Sequence, residues 1–430
     1  AWELVCQGVH PSIISRGFRM AEAEVQKILL EIAKPVKGDA QILEATRTSL
    51  AGKGEASMRS KLAELAVMAA EGIAVEENGS IRANPTLVKV LAHKGSRAHE
   101  SELVNGLVIA KKRIHSEMDS SLGSGKILLI DGALEKRKPL LDAKLKITST
   151  GMLEAFRQKE RQILRDQIDM ISTLDVDLLV VRDAVDDEAK HLLTQAGITC
   201  YRRVERVELE LLARATDSRL VHSIESVTKE DLGEFNSSRE VLWDDVTHWI
   251  LEGKYRRGLT LISRGTTEEI LEEVERAFAD ALGVACQLHE EPLLLPGGGA
   301  TQVALARRLR RFAETVAGRE QLSIEAFADA LEIIPRTLAE NGGLDPIDKL
   351  LEITAAQTSV NGDVDWIGLD MKAKGASDMD ALAIREPLRI TRQAIKGATE
   401  SAISILRIDD VLWAKQDPTI PDGILEGNED

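Results

Sequence analysis

The stretch PGGGATQVALARRLRRF, Pro296 to Phe312, sets Gly297, Gly298 and Gly299 at the mouth of an amphipathic helix. Glycine costs backbone entropy wherever it is ordered. A helix N-terminus offers free N–H groups and a positive dipole end, so a nucleotide can approach the backbone there. A plain turn is the other reading of the same three residues. Lys53 stands between two glycines in TSLAGKGEAS. That resembles a fragment of a phosphate loop, without the Gly-x4-Gly-Lys-Ser/Thr spacing; a mobile surface loop is the alternative. Asp280 lies off the apolar arc of Ile270, Val274, Phe278 and Ala281 at about 100° per residue. It is expected in the last turn of its helix, where a carboxylate faces the negative dipole end. It reads either as a solvated side chain or as a catalytic acid or base. Glu386, before Pro387 at the expected opening of the last long helix, suits a dipole partner or an acceptor for ribose hydroxyls.

Helical and strand periodicities supply the elements that position these residues. Ile14, Phe18, Met20, Ala21, Val25, Ile28, Leu29 and Ile32 have helical spacing over 12–34. Further helices are expected over 57–72 and 84–91. The middle of the chain reads as short buried strands at 126–134, 176–183, 199–205, 219–224 and 259–265. AVDDEAKHLLTQAG is a helix closed by Gly197, so the second and third strands make a parallel βαβ pair. Met152, Leu153, Phe156, Ile163, Leu164, Ile168 and Ile171 form an apolar stripe on a charged helix. Thr266 and Glu269 are expected to cap a helix running to about Leu282. Two more helices follow the glycines, then a strand-and-turn segment from Asp363 to Arg385, then a helix over about 389–407. The acidic tail reads as disordered. The outline is a helical domain interrupted by a mixed α/β insert.

The 430 residues suffice for several domains, and the core must be aliphatic because aromatics are only 3%. A net charge of −16 argues against broad nucleic-acid binding. Cys6, Cys200 and Cys286 form no CxxC pair, and the eight histidines show no metal-ligand spacing. A reducing compartment, with no disulfide framework and no zinc site, is expected. No apolar run approaches bilayer length and no signal peptide is read, so no membrane partner is expected.

GREQLSIEAFADALEIIPRTLAENGGLDPID, Gly318 to Asp348, closely resembles the group II chaperonins, the family of the archaeal thermosome and the eukaryotic cytosolic chaperonin. QGVHPSIISRGFRMA (7–21), ARATDSRLV (213–220), EEVERAFADAL (272–282) and EPLRITRQAIKGATESAISILRIDDV (386–411) fit the family in the same order. The resemblance implies a multi-domain α and α/β fold. A helical equatorial domain (1–43 and 297–430) is interrupted by an intermediate domain (44–110 and 263–296) and an apical α/β domain (111–262). The charged helix at about 145–172 would be the helical protrusion.

The resemblance also implies function: a cytoplasmic ATPase in a double ring of like or paralogous subunits, which encloses unfolded protein clients as ATP hydrolysis closes the lid. Gly297, Gly298 and Gly299 would lie against the ribose and base of ATP, with Glu386 near the ribose. Asp280 would orient or activate the attacking water. Lys53 would sense the γ-phosphate when the intermediate domain closes. The family's GDGTT segment, whose aspartate holds Mg2+, is not in these residues, nor is its Gly-Pro phosphate loop; both are expected upstream of Ala1. Pro296 stands where a tryptophan is common. Two accounts stay open: an incomplete N-terminus, or a shortened, non-hydrolysing holdase or assembly subunit in mixed rings. A small-molecule site in the βαβ region, with neither GxGxxG nor a titratable cluster, is a third reading.

Overall fold

The computed structural model describes residues 1–408 apart from 78, 96, 136–149, 244, 255–257 and 360–361. The acidic tail and the start of the expected protrusion lie outside the described residues. The chain forms two compact units, one of Ala1–Pro35 and Leu293–Asp430, the other of Val36–Pro292.

The first unit is built on helix Pro11–Ile32. Pro11 takes the first helical position, where no N–H is needed, and the His10 side chain accepts from the Ser12 N–H at 3.2 Å. Its expected apolar face is buried, from Ile14 through Phe18 and Val25 to Ile32. It packs against helices Ala300–Ala313, Glu320–Asn341 and Leu388–Leu406. The core is aliphatic, with Phe18 and Phe327 meeting edge to face at 5.7 Å. Beside it lies a three-stranded antiparallel sheet of Lys34–Pro35, Leu293–Pro296 and Arg385–Pro387. In that sheet Pro35 pairs with Leu293, so the two points where the chain leaves this unit are direct partners.

The second unit has a helical part and two sheets. Helices Asp39–Ser49, Ala56–Ile73 and Glu268–Glu290 pack together over buried residues such as Leu62, Ala66, Val274 and Phe278. A three-stranded sheet joins Val88–Lys94, Leu259–Gly265 and Glu102–Asn105. The larger sheet holds the expected parallel strands Gly125–Ile130, Leu178–Val181 and Thr199–Arg202 side by side. Helix Asp187–Gln195 supplies the crossover, and Gly197 follows it at φ +73°. The short strand Leu220–Val221 lies parallel on the other side of Gly125–Ile130. Antiparallel strands Gly233–Trp243, Val246–Gly253 and Leu107–Ile109 extend the sheet.

Four local expectations are corrected. Residues 84–91 are not a helix. The Asn84 side chain caps a single 3-10 turn, and Val88–Lys94 pairs in parallel with Leu259–Gly265. Val88 and Val90 alternate at period two, and strand pairing decides the outcome. The cap of the next helix is Thr267, whose hydroxyl accepts from the Ile270 N–H, not Thr266. That helix runs past Leu282 and Gly283 to Glu290, because Val284, Ala285, Cys286 and Leu288 continue the buried face. In helix Thr150–Thr173, Leu164, Ile168 and Ile171 are core residues, but Ile163 is exposed. The C-terminal half of that helix is therefore part of the sheet's packing, not a projecting element.

Candidate functional site

The second unit brings Lys53 and Asp280 together. Helix Asp39–Ser49 ends in a tight turn in which the Lys53 N–H bonds the Leu50 carbonyl at 3.1 Å. Gly52 and Gly54 flank Lys53 at φ +83° and +54°, conformations that disfavour a Cβ. The turn aims the ammonium at helix Glu268–Glu290, where it pairs with the Asp280 carboxylate. Lys53 is therefore partnered, not a loose loop residue. Asp280 stands in the middle of its helix, so the unfavourable dipole end expected for it is absent. Its side chain is 53% exposed and that of Lys53 30%. A pair this wet contributes at most about 1 kcal/mol. Chemically it offers a carboxylate open to water and a cation able to meet an anionic oxygen. A cavity of about 980 Å³ opens nearby, lined by Gly54, Lys61, Arg97, His99 and Glu273, but neither Lys53 nor Asp280 lines it.

The first unit brings the glycines and Glu386 together. Strand Leu293–Pro296 pairs Leu295 with Glu386 and delivers the chain into the Gly297–Gly299 turn. Glu386 is thus on a strand, not at a helix opening, and Pro387 caps the following helix without a side-chain bond. Gly298 and Gly299 have φ +61° and +74°. The Gly297 N–H bonds the Ile384 carbonyl at 3.1 Å, and the Gly298 carbonyl accepts from the Leu369 N–H at 2.8 Å. A Cβ on Gly297 would stand 2.8 Å from the Ile384 side chain, one on Gly298 2.6 Å from the Met379 sulfur, and one on Gly299 2.7 Å from Pro335. The chain's own packing therefore accounts for all three glycines. The N–H groups of Gly298 and Gly299 have no hydrogen-bond partner among the described residues. They are donors at the N-terminus of helix Ala300–Ala313.

Glu386 is half-buried, and its carboxylate lies 3.5 Å from the position a Gly297 Cβ would take. Burial raises its carboxyl above the ordinary glutamate value, and a hydrogen bond from the Thr391 hydroxyl pulls the other way. An acceptor carboxylate beside two unused amides fits a nucleoside's hydroxyls and acceptor atoms. For magnesium there is no comparable fit: among the described residues, no group of three or more His, Cys, Asp or Glu side chains can hold a metal ion.

The TCP-1/cpn60 chaperonin family model matches residues 1–416. This chain belongs to that family. A thermosome subunit of Methanocaldococcus jannaschii is 40% identical over 420 residues, spanning 97% of this chain and 77% of that one. A thermosome subunit of Methanopyrus kandleri is 40% identical over 421 residues, covering 97% and 76%. The solved open-state monomer of a group II chaperonin from Methanococcoides burtonii superposes with a TM-score of 0.73 at 30% identity, over 94% of this chain and 95% of that one. The chain is a group II chaperonin subunit, of a family that folds proteins and hydrolyses ATP.

One cluster in this chaperonin subunit escaped sequence reading. Asp131, Arg182, Asp183 and His222 meet at the carboxyl ends of strands Gly125–Ile130, Leu178–Val181 and Leu220–Val221. Asp131 is buried and pairs with Arg182, which also bonds Asp183 at 2.9 Å; His222 Nδ1 stands 3.3 Å from the second Asp131 oxygen. The βαβ region therefore does carry a titratable cluster, contrary to the expectation from sequence. The signal available was that each member directly follows or overlaps an expected strand end, where such sheets gather polar groups. No helix among the described residues is long and apolar enough to cross a membrane.

Proposed function

We propose that this subunit binds and hydrolyses ATP, with hydrolysis driving lid closure over unfolded protein in a cytoplasmic double ring. The observation that carries the reading is the Lys53–Asp280 pair, which sets a cation beside a carboxylate open to water. Asp280 would hold the attacking water, and Lys53 would meet the terminal phosphate oxygens. Gly297, Gly298 and Gly299 would face the base and ribose, the last two through their unused N–H groups, with Glu386 accepting from the ribose hydroxyls. Bound ATP supplies the anhydride bond whose cleavage releases energy. The residues contribute position and electrostatics, which dominate phosphoryl transfer. No step is assigned through magnesium: among the described residues no group of three or more His, Cys, Asp or Glu side chains is gathered to hold a metal ion.

Within this reading the equatorial part comprises 1–43 and 297–430, the intermediate part 44–110 and 263–296, and the apical part 111–262. Ring partners would be like or paralogous subunits. The test is Asp280→Ala in the complete protein. Nucleotide binding is expected to persist while turnover is lost. Turnover near that of the unaltered protein would remove the assignment. A complete protein with no magnesium-dependent ATPase of its own would favour the holdase or assembly-subunit reading.

A further inference from the structure

Arg59 grips the turn that carries Lys53. Its guanidinium Nη1 donates to the Gly54 carbonyl at 2.7 Å. Glu55 stands four residues before Arg59, the spacing at which an acid–base pair forms on a helix surface. Arg59 nevertheless takes the uncharged carbonyl, and among the described residues it has no ion-pair partner.

The place of that carbonyl gives the bond its effect. Helix Ala56–Ile73 starts after Glu55, whose side chain makes no capping bond. Gly54 is thus the residue just outside the helix and Arg59 the fourth residue within it. At other helix starts a hydrophobic staple joins these two positions; here a guanidinium does. Buried Met58 closes the turn from below, since a Cβ on Gly54 would collide with its methyl group. The turn itself is permissive, with Gly52 and Gly54 both at positive φ. Lys53 is therefore anchored ahead by its own N–H on the Leu50 carbonyl and behind by the Arg59 bond. Between these two ties its ammonium reaches Asp280 on another helix. A reacting group misplaced by about 1 Å can cost up to about a hundredfold in rate.

We propose that Arg59 is a positioning residue for Lys53: by clamping the Gly54 carbonyl to the start of helix Ala56–Ile73 it fixes the turn that presents the ammonium to Asp280 and to the terminal phosphate of ATP. The proposal rests on the ATP reading of the Lys53–Asp280 pair. Arg59 does not touch the nucleotide; it acts through the backbone on either side of Lys53.

The experiment compares the complete unaltered protein with R59M, R59K and D280N in two measurements. One is steady-state ATP hydrolysis. The other, without nucleotide, is the rate at which N-hydroxysuccinimide acetate acetylates Lys53, read by mass spectrometry. R59M is expected to lower kcat about five- to tenfold, the loss of one hydrogen bond from a charged donor. KM for ATP should move by less than about twofold, because the lost bond is not one to substrate. Acetylation of Lys53 should quicken about two- to fivefold, as expected when one exposed ion pair loosens. D280N gives the acetylation rate of a fully released Lys53. R59K keeps a donor on a chain of similar length and should restore most of both properties. R59M with unaltered turnover, or with unaltered acetylation of Lys53, overturns the proposal. So does R59K if it is no better than R59M. Full turnover in D280N is the failure of the ATP reading instead, and the acetylation rates then test the clamp by themselves. Melting curves show whether each variant folds. If R59M does not, R59Q, polar but too short to reach the carbonyl, takes its place.

Discussion

Lys53 and Asp280 are 227 residues apart in sequence and form an ion pair within one compact unit. Each holds the group the other would offer to a phosphate or a water. A partly exposed pair adds little to stability, so its worth lies in where it places the two charges.

Lys53→Met and Asp280→Asn should therefore each change folding stability by no more than about 1 kcal/mol, while each lowers ATP turnover sharply. Chemical denaturation and steady-state hydrolysis measured on the same samples separate the two effects. A loss of turnover fully explained by unfolding would count against a role for the pair.

Gly298→Ala should destabilise the first unit by about 2 kcal/mol or more. The positive φ costs roughly 1–2 kcal/mol for a non-glycine residue. The added methyl would also stand 2.6 Å from the Met379 sulfur and 2.9 Å from the Leu369 carbonyl oxygen. The denaturant midpoint measures it; an unchanged midpoint would show that the turn relaxes freely.

Glu386 gives a pH dependence of definite sign. Burial raises its carboxyl in the folded protein, so the native state holds that proton more tightly than the unfolded chain does. Stability should fall as pH rises from the ordinary glutamate range through the raised value, and level off above it. Glu386→Gln removes this slope, so the variant should gain on the unaltered protein across that window. Melting temperature against pH is the measurement, and parallel curves would refute the linkage.

The lid reading is tested by deletion, with limits the core imposes. Removing residues 145–160 should abolish the nucleotide-induced protease-resistant state and leave rings assembled. A deletion extended to 172 would also take out Leu164, Ile168 and Ile171, all buried. Each such loss costs roughly 2–5 kcal/mol, so that version is expected to misfold. A closed, protease-resistant state in the shorter deletion would contradict the lid assignment.

Much of this fold was legible because it is written in local periodicity. Helix Pro11–Ile32 follows from apolar spacing and a proline start, and the parallel strands follow from short aliphatic runs bounded by turns. The ordered motifs carried the family as well. What failed locally failed for stated reasons. Residues 84–91 were read as helical because the strand they pair with, Leu259–Gly265, is remote in sequence. The helix expected to stop near Leu282 continues to Glu290, because the buried face that extends to Leu288 is defined by packing partners elsewhere.

The sequence alone determined most of the helices, the parallel strands, their nesting and the chemical kinds of residue at the candidate site. Only the tertiary structure decided the pairings: Lys53 with Asp280, Glu386 with the Gly297 turn, and Asp131 with Arg182 and His222. It also decided that the three glycines are crowded by Ile384, Met379 and Pro335. The physical reason is that periodicity is set by neighbours along the chain. A contact across a long loop depends on every element that packs between its two ends.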